Sequence, residues 1–308
     1  MSFALTPARL AGLARIFDER LKHFGLSRLI ALAIASTQIT LLFRAEHVST
    51  AIATVLIWMA SAVLIGDLPA HLSADASRGR PGLRIWLGLA GLLWCLLVLS
   101  FAARFYDLLL FPIPLVCFLA IALLEGAELR SRTVRDLVLL GCLLPLHQRL
   151  ATTLPTEGIV VHTARLACMG VWSLGRECVA SGNRMAMATR HLLVDPPCAG
   201  VDTLVLALSS SLVFLVLFPK RRHWFHAAAL IGASLLIAFG FNAIRVVILA
   251  FSSRACDQHW WSQLCGFEFW HLGTGSHLFP LLAVSAVCWL WWWDIQRGGM
   301  PATPDTTP

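Results

Sequence analysis

The feature that most constrains this chain is a recurrence of apolar runs, each close to twenty residues long and almost free of charge. They occupy roughly 26–43, 50–66, 84–103, 107–125, 136–153, 199–218, 225–252 and 272–293. A helix of about 20 apolar residues matches the hydrocarbon thickness of a bilayer, and in hydrocarbon a helix satisfies each backbone N–H within its own segment. The eight runs predict an all-α polytopic integral membrane protein with about eight transmembrane helices. Composition agrees: 58% of the 308 residues are hydrophobic and 13% are charged, against about 25% charged in a soluble domain. The fifth run is broken by Pro145, His147, Gln148 and Arg149, so it is expected to leave the bilayer early.

A net charge of +7 raises the question of nucleic acid. The distribution of that charge argues against it. Basic residues sit in short clusters between runs: Arg78, Arg80 and Arg84; Arg130, Arg132 and Arg135; Lys220, Arg221 and Arg222. With eight spans and a cytoplasmic N-terminus, these clusters share one side with Arg9, Arg15, Arg20 and Lys22. The short loops opposite then hold only Arg44, Arg104 and Arg254. This bias is the positive-inside pattern, and it predicts that both termini are cytoplasmic. No removable signal peptide is read at the start, since the first run follows a polar, basic stretch, lacks a small-residue cleavage site and leads into more spans. Tryptophan, bunched at run ends, fits interfacial anchoring.

The long segment 154–198 falls on the outer side. From Glu157 to Leu174 it is amphipathic at helical spacing through Ile159, Val160, Ala164, Ala167 and Val171, which predicts a helix lying on the membrane surface. Ser181-Gly182-Asn183 is a turn signal between Glu177–Ala180 and Arg184–Val194, which predicts a β-hairpin before the sixth span. Asp195-Pro196-Pro197 then ends the hairpin, and Cys198 stands at the mouth of that span. The chain thus divides into a cytoplasmic arm (1–25), spans one to five (26–153), an extracytoplasmic segment (154–198), spans six to eight (199–293) and a disordered cytoplasmic tail (294–308).

Topology brings three polar residues to one depth. Cys198 opens span six from outside. Arg245 lies late in span seven, about 30 Å up from its start at 1.5 Å per residue. His271 opens span eight. A thiol attacks only as thiolate, and a nearby imidazole can take its proton. An arginine keeps its charge and suits an oxyanion forming on a carbonyl. Asn242, just short of one turn before Arg245, shares its face and is placed either to orient the guanidinium or to donate a second hydrogen bond. Each residue also has an ordinary reading: a structural cysteine at a helix mouth, an arginine snorkelling to phosphates, an interfacial histidine beside Trp270.

The order of these residues resembles the exosortase/archaeosortase family. It reads Pro197-Cys198-Ala199-Gly200-Val201, then Phe241-Asn242-Ala243-Ile244-Arg245, then Phe269-Trp270-His271 with Gly275 and Phe279 beyond. The stretch Thr153 to Gly158 and Ser181-Gly182-Asn183 is similar to that family's pre-catalytic segment. The likeness covers about 140–285, and its strength lies in order and spacing. It implies a membrane cysteine transpeptidase of the bacterial inner membrane with its site on the periplasmic face. Such enzymes act on exported proteins ending in a short motif (Pro-Glu-Pro in one class), a transmembrane helix and a basic tail, and pass a thioester to an acceptor such as a lipid or glycan. It further implies Cys198 as nucleophile, His271 as acid/base and Arg245 as transition-state stabiliser, with Asn242, Gly200 and Asp202 supporting. Asp202 departs from the family, many members of which carry a basic residue there. It either alters the signal that is read or pairs with a nearby arginine.

Three other classes are weighed. Gly273-Thr274-Gly275-Ser276 with His277 has the look of a serine nucleophile, but an adjacent imidazole points about 100° away on a helix. Cys256, His259, Cys265, His271 and His277 fit no compact metal spacing, so no metal or cofactor is expected. Cys256 and Cys265 either form a disulfide in an oxidising compartment or stay free. A transporter or scaffold with an intramembrane Arg245 is the non-enzymatic alternative, although no internal repeat supports it.

Overall fold

The computed structural model describes residues 25–45, 47–66, 81–102, 108–188, 190–219, 224–252 and 266–297. The helices are α1 (Leu26–Arg44), α2 (Val48–Gly66), α3 (Pro81–Ala102), α4 (Ile113–Leu124), α5 (Arg132–Thr153), α6 (Thr156–Ser173), α7 (Val201–Leu217), α8 (Trp224–Phe251), α9 (Phe267–His271) and α10 (Leu278–Arg297). Strands β1 (Cys178–Ser181), β2 (Arg184–Met187) and β3 (Arg190–Leu193) lie between α6 and α7.

The expected count of eight spans is not reached. Among the described residues, five helical segments are long and apolar enough to cross a membrane: Leu26–Arg44, Val48–Gly66, Leu83–Ala102, Trp224–Phe251 and Phe267–Arg297. The pair α5 and α6, bent by 76°, makes a sixth. The runs 107–125 and 199–218 give shorter helices, and for α4 the reason is visible. Gln38 sits twelve residues into α1, about 18 Å along it. Its amide donates to the Leu110 carbonyl at 2.7 Å and accepts from Trp58 Nε1 at 3.0 Å. The short 3-10 turn Leu108–Leu110 is therefore held at membrane depth, where non-helical backbone survives only if protein groups satisfy it, and α4 starts partway down.

The fifth run does not end at Pro145. Helix α5 continues through the proline to Thr153, and His147 faces the protein, with Nδ1 3.1 Å from Ser209 Oγ of α7. The break comes at Leu154-Pro155, between α5 and α6. Trp291 of α10, fully buried, donates from Nε1 to the hydroxyls of Ser211 in α7 and Ser234 in α8, both at 3.2 Å. These buried polar joints fix which helices are neighbours, in a solvent where apolar burial alone does not choose partners.

The description all-α gives way at the segment before α7. The residues read as one hairpin arm, Arg184–Val194, divide into β2 and β3, so the sheet is a three-stranded antiparallel meander in the order β1-β2-β3. Ser181 pairs with Arg184 across Gly182-Asn183, and Met185 pairs with Leu192. Helix α6 also departs from expectation. Its stripe of Val160, Ala164, Ala167 and Val171 is buried, packed with Met185, Val194, Cys198, Val246 and Ala250. The stripe faces sheet and α8 rather than lipid. A disulfide joins Cys168 of α6 to Cys178 at the start of β1, with Cα atoms 5.4 Å apart. Cys256, Cys265 and His259 lie outside the described residues, as do residues 1–24 and 298–308. Helix α10 carries order past 293 to Arg297.

Candidate functional site

Cys198 lies in a 3-10 turn, Pro196–Ala199, between the sheet and α7. Gly200 follows with φ +77° and starts α7. A Cβ at that position would collide with the side chain of Asn242, so the turn and α8 approach as closely as they do because residue 200 has none. The contact is used: Asn242, 1% exposed, donates from Nδ2 to the Cys198 carbonyl at 2.9 Å. Thr163 of α6 donates to the next carbonyl, that of Ala199, at 3.3 Å. The turn is thus held by its backbone from two sides.

Arg245 stands three residues after Asn242 and performs the same task on another segment. Its Nε donates to the Trp270 carbonyl at 3.2 Å and one terminal nitrogen donates to the His271 carbonyl at 2.5 Å. Of the five guanidinium N–H groups, three remain for other partners. The Asn-x-x-Arg face of α8 therefore grips the cysteine turn with one residue and the histidine helix with the other.

The Cys198 thiol is 5% exposed. Burial pushes its pKa above the ordinary thiol value; Arg245 opposes this, the Asp195 carboxylate adds to it, and a hydrogen bond from the Asp195 backbone lowers it. The His271 ring packs against Phe267, with centroids 4.9 Å apart, and is partly exposed. No hydrogen bond joins that ring to the Cys198 thiol among the described residues. Asn242 and Arg245, three residues apart on α8, tie the backbone of the Cys198 turn and that of His271 to the same helix.

Asp202, the second residue of α7, is exposed, and the charge acting on it is that of His47 in the α1–α2 loop rather than an arginine. Ser276 lies in a 3-10 turn, Thr274–His277, not a regular helix. Its hydroxyl is 3.5 Å from His277 Nδ1, closer than helical geometry predicts, but it donates to the Gly273 carbonyl at 2.7 Å. Among the described residues no cluster of three or more His, Cys, Asp or Glu is arranged to hold a metal.

Sequence reasoning missed Thr163, Asp195 and the Cys168–Cys178 pair. Asp195 was visible as the residue that ends the sheet. Thr163 carried no signal, because its role depends on where α6 packs.

The family model for transmembrane exosortases fits residues 25–289, which is most of the chain and includes every residue of this site. No curated protein and no solved structure matches it.

Proposed function

The chain belongs to the transmembrane exosortase family, and from that premise we propose that it is a cysteine transpeptidase with Cys198, Arg245 and His271 as its working residues. It is a multi-pass membrane protein, and its family processes exported proteins that carry C-terminal sorting signals. The observation that carries the reading is the double grip of α8, Asn242 on the Cys198 backbone and Arg245 on the His271 backbone, with the Arg245 charge acting on the thiol.

In this reading Cys198 loses its proton to His271, and the thiolate attacks the scissile carbonyl of the sorting signal. The oxyanion is met by the Arg245 N–H groups not used on carbonyls, as in other preorganised anion sites. The carbon–nitrogen bond breaks as His271 returns the proton to the leaving amine. A thioester on Cys198 remains. An acceptor nucleophile, water or a hydroxyl or amine on a lipid or glycan, then attacks it while His271 takes its proton, and the thiol is restored.

The site faces the periplasm of a bacterial inner membrane and both termini face the cytoplasm. Two features support this orientation. The disulfide lies at the end of the bundle that carries Cys198, and disulfides persist in oxidising compartments. Arg28, Arg130, Arg132, Arg135 and Arg297 lie toward the opposite end. Gly200 and Asn242 support the site by fit, and Asp202 with His47 contributes to the rim that reads the substrate.

The test is a membrane reporter that ends in a sorting motif, a transmembrane helix and a basic tail, co-expressed with the protein. Wild type releases the tail and Cys198→Ala does not. Equal release with Cys198→Ala sinks the thiol mechanism, and retained function in both Cys198→Ala and Arg245→Ala points to a transporter or scaffold.

A further inference from the structure

A polar hollow lies where the sheet meets the last turn of α8. It is a cavity of about 270 Å³ walled by Arg176 and Glu177 after α6, Met187 and Arg190 of the sheet, and Phe251 and Ser252 at the end of α8. Arg190 is fixed there, donating to the Ser252 carbonyl at 2.5 Å. Arg176 holds its guanidinium over the Phe251 ring, 5.8 Å from the centroid. Burial and the like charge of Arg176 together press the Arg190 pKa below its ordinary range. Neither guanidinium has a carboxylate partner among the described residues, and Glu177 lines the cavity without closing an ion pair. Two arginines against one glutamate leave a positive charge that is not neutralised among the described residues.

Position decides which anion fits. The cavity wall ends a 28-residue apolar helix that is long enough to span the membrane, so the cavity lies at the boundary between lipid and water. Phe251 of its wall is 42% exposed, and Trp172 and Leu174, between the lining residues Val171 and Arg176 in sequence, are 72% and 64% exposed. Apolar and aromatic side chains at that depth belong among lipid headgroups and upper acyl chains. Arginine pairs with phosphate through parallel charge-assisted hydrogen bonds, and phosphate is the anion a bilayer presents there.

We propose that the Arg176–Arg190 cavity binds the headgroup phosphate of an anionic phospholipid of the surrounding bilayer, with its acyl chains over Trp172, Leu174 and Phe251. The bound lipid bridges the loop after α6 to β3 and, through Arg190, to the end of α8. It braces the sheet against the helix that carries Asn242 and Arg245. The assignment stands apart from the cysteine chemistry and holds whether or not the chain is a transpeptidase.

The experiment is native mass spectrometry of the full-length protein in detergent, titrated with phosphatidylglycerol or with phosphatidylcholine. Wild type is expected to retain phosphatidylglycerol selectively. Each of Arg176→Gln and Arg190→Gln weakens that retention about fivefold, and the double variant about twenty-five-fold. Glu177→Gln, which adds to the uncompensated charge, tightens it about fivefold, so the proposal is exposed even if the double variant fails to fold. Unchanged phosphatidylglycerol affinity in the arginine variants or in Glu177→Gln overturns it, as does equal retention of the two lipids. An acidic peptide that binds wild type but not the double variant, while phosphatidylglycerol binds both alike, assigns the cavity to a carboxylate ligand and overturns it as well.

Discussion

At the end of the bundle where α1 begins, side chains meet side chains. Ser27 and Arg28 reach Glu125 at 2.9 and 3.4 Å, Arg132 and Arg135 reach Asp136 at 3.7 and 3.4 Å, and His226 reaches Asp294 at 2.6 Å. At the sheet end, side chains reach for backbone. Asn242 takes the Cys198 carbonyl, Arg245 those of Trp270 and His271, Thr163 that of Ala199 and Arg190 that of Ser252. The first kind of bond uses up the charged groups it joins and staples helix ends. The second fixes where a loop lies by holding its backbone carbonyls. On the proposed transpeptidase reading, the Cys198 thiol and the His271 imidazole are served by the second kind.

The comparison can be broken most severely at Arg245. Arg245→Gln removes the bridge to two carbonyls and the charge beside Cys198, and reporter cleavage is expected to fall about 10³-fold, in the range seen when an oxyanion donor is lost. Arg245→Lys keeps the charge but lacks the fork, so it restores only a minor part of that rate. Asn242→Ala leaves the buried Cys198 carbonyl without its donor. That costs about 1–3 kcal/mol, read as a lower melting temperature in detergent together with reduced cleavage. Cys168→Ser unlinks α6 from β1 and costs about 2–3 kcal/mol for a loop this short. Protease nicking within 174–195 should rise with little change in the helical circular dichroism signal.

The thiol offers a sharper probe of the same contrast. Burial holds the Cys198 pKa up, so the proton is retained at neutral pH and alkylation quickens as pH rises. Arg245 pulls the other way, so Arg245→Gln moves the alkylation profile further toward alkaline pH. Iodoacetamide labelling of the Cys198 peptide, followed by mass spectrometry across pH, measures both. A profile that moves toward acid removes Arg245 from the thiol's surroundings. The smallest effect belongs to the other end: Glu125→Gln loses an ion pair worth about 1 kcal/mol or less and leaves cleavage within about twofold.

Much of this architecture is legible in the sequence because hydrophobic length is a one-dimensional signal. The apolar runs become helices, and the motif residues are visible in them, Cys198 and His271 at run ends and Asn242 and Arg245 as polar groups late within one. What the sequence hides is partner choice. The stripe Val160, Ala164, Ala167, Val171 announces a covered face, yet periodicity does not say whether lipid or protein covers it, and the cover is the sheet and α8. Cys168 and Cys178 sit ten residues apart with no paired spacing, and they meet only because β1 folds back on the helix before it. The short α4 is opaque for the same reason, since its length depends on Gln38, 72 residues from the carbonyl it holds. Asn242 reads as a helper for Arg245, whereas its amide is given to the Cys198 carbonyl.

The fit between Gly200 and Asn242 also bears on how such a protein can change over evolutionary time. A side chain added at 200 strikes Asn242, and a left-handed backbone disfavours it besides. Shrinking 242 first makes room but drops the carbonyl that Asn242 holds. Either single step leads through a poorer protein, and only the joint change leaves the turn free to find a new support. The two positions, 42 residues apart, therefore inherit as one character, and drift at either is bounded by the identity of the other.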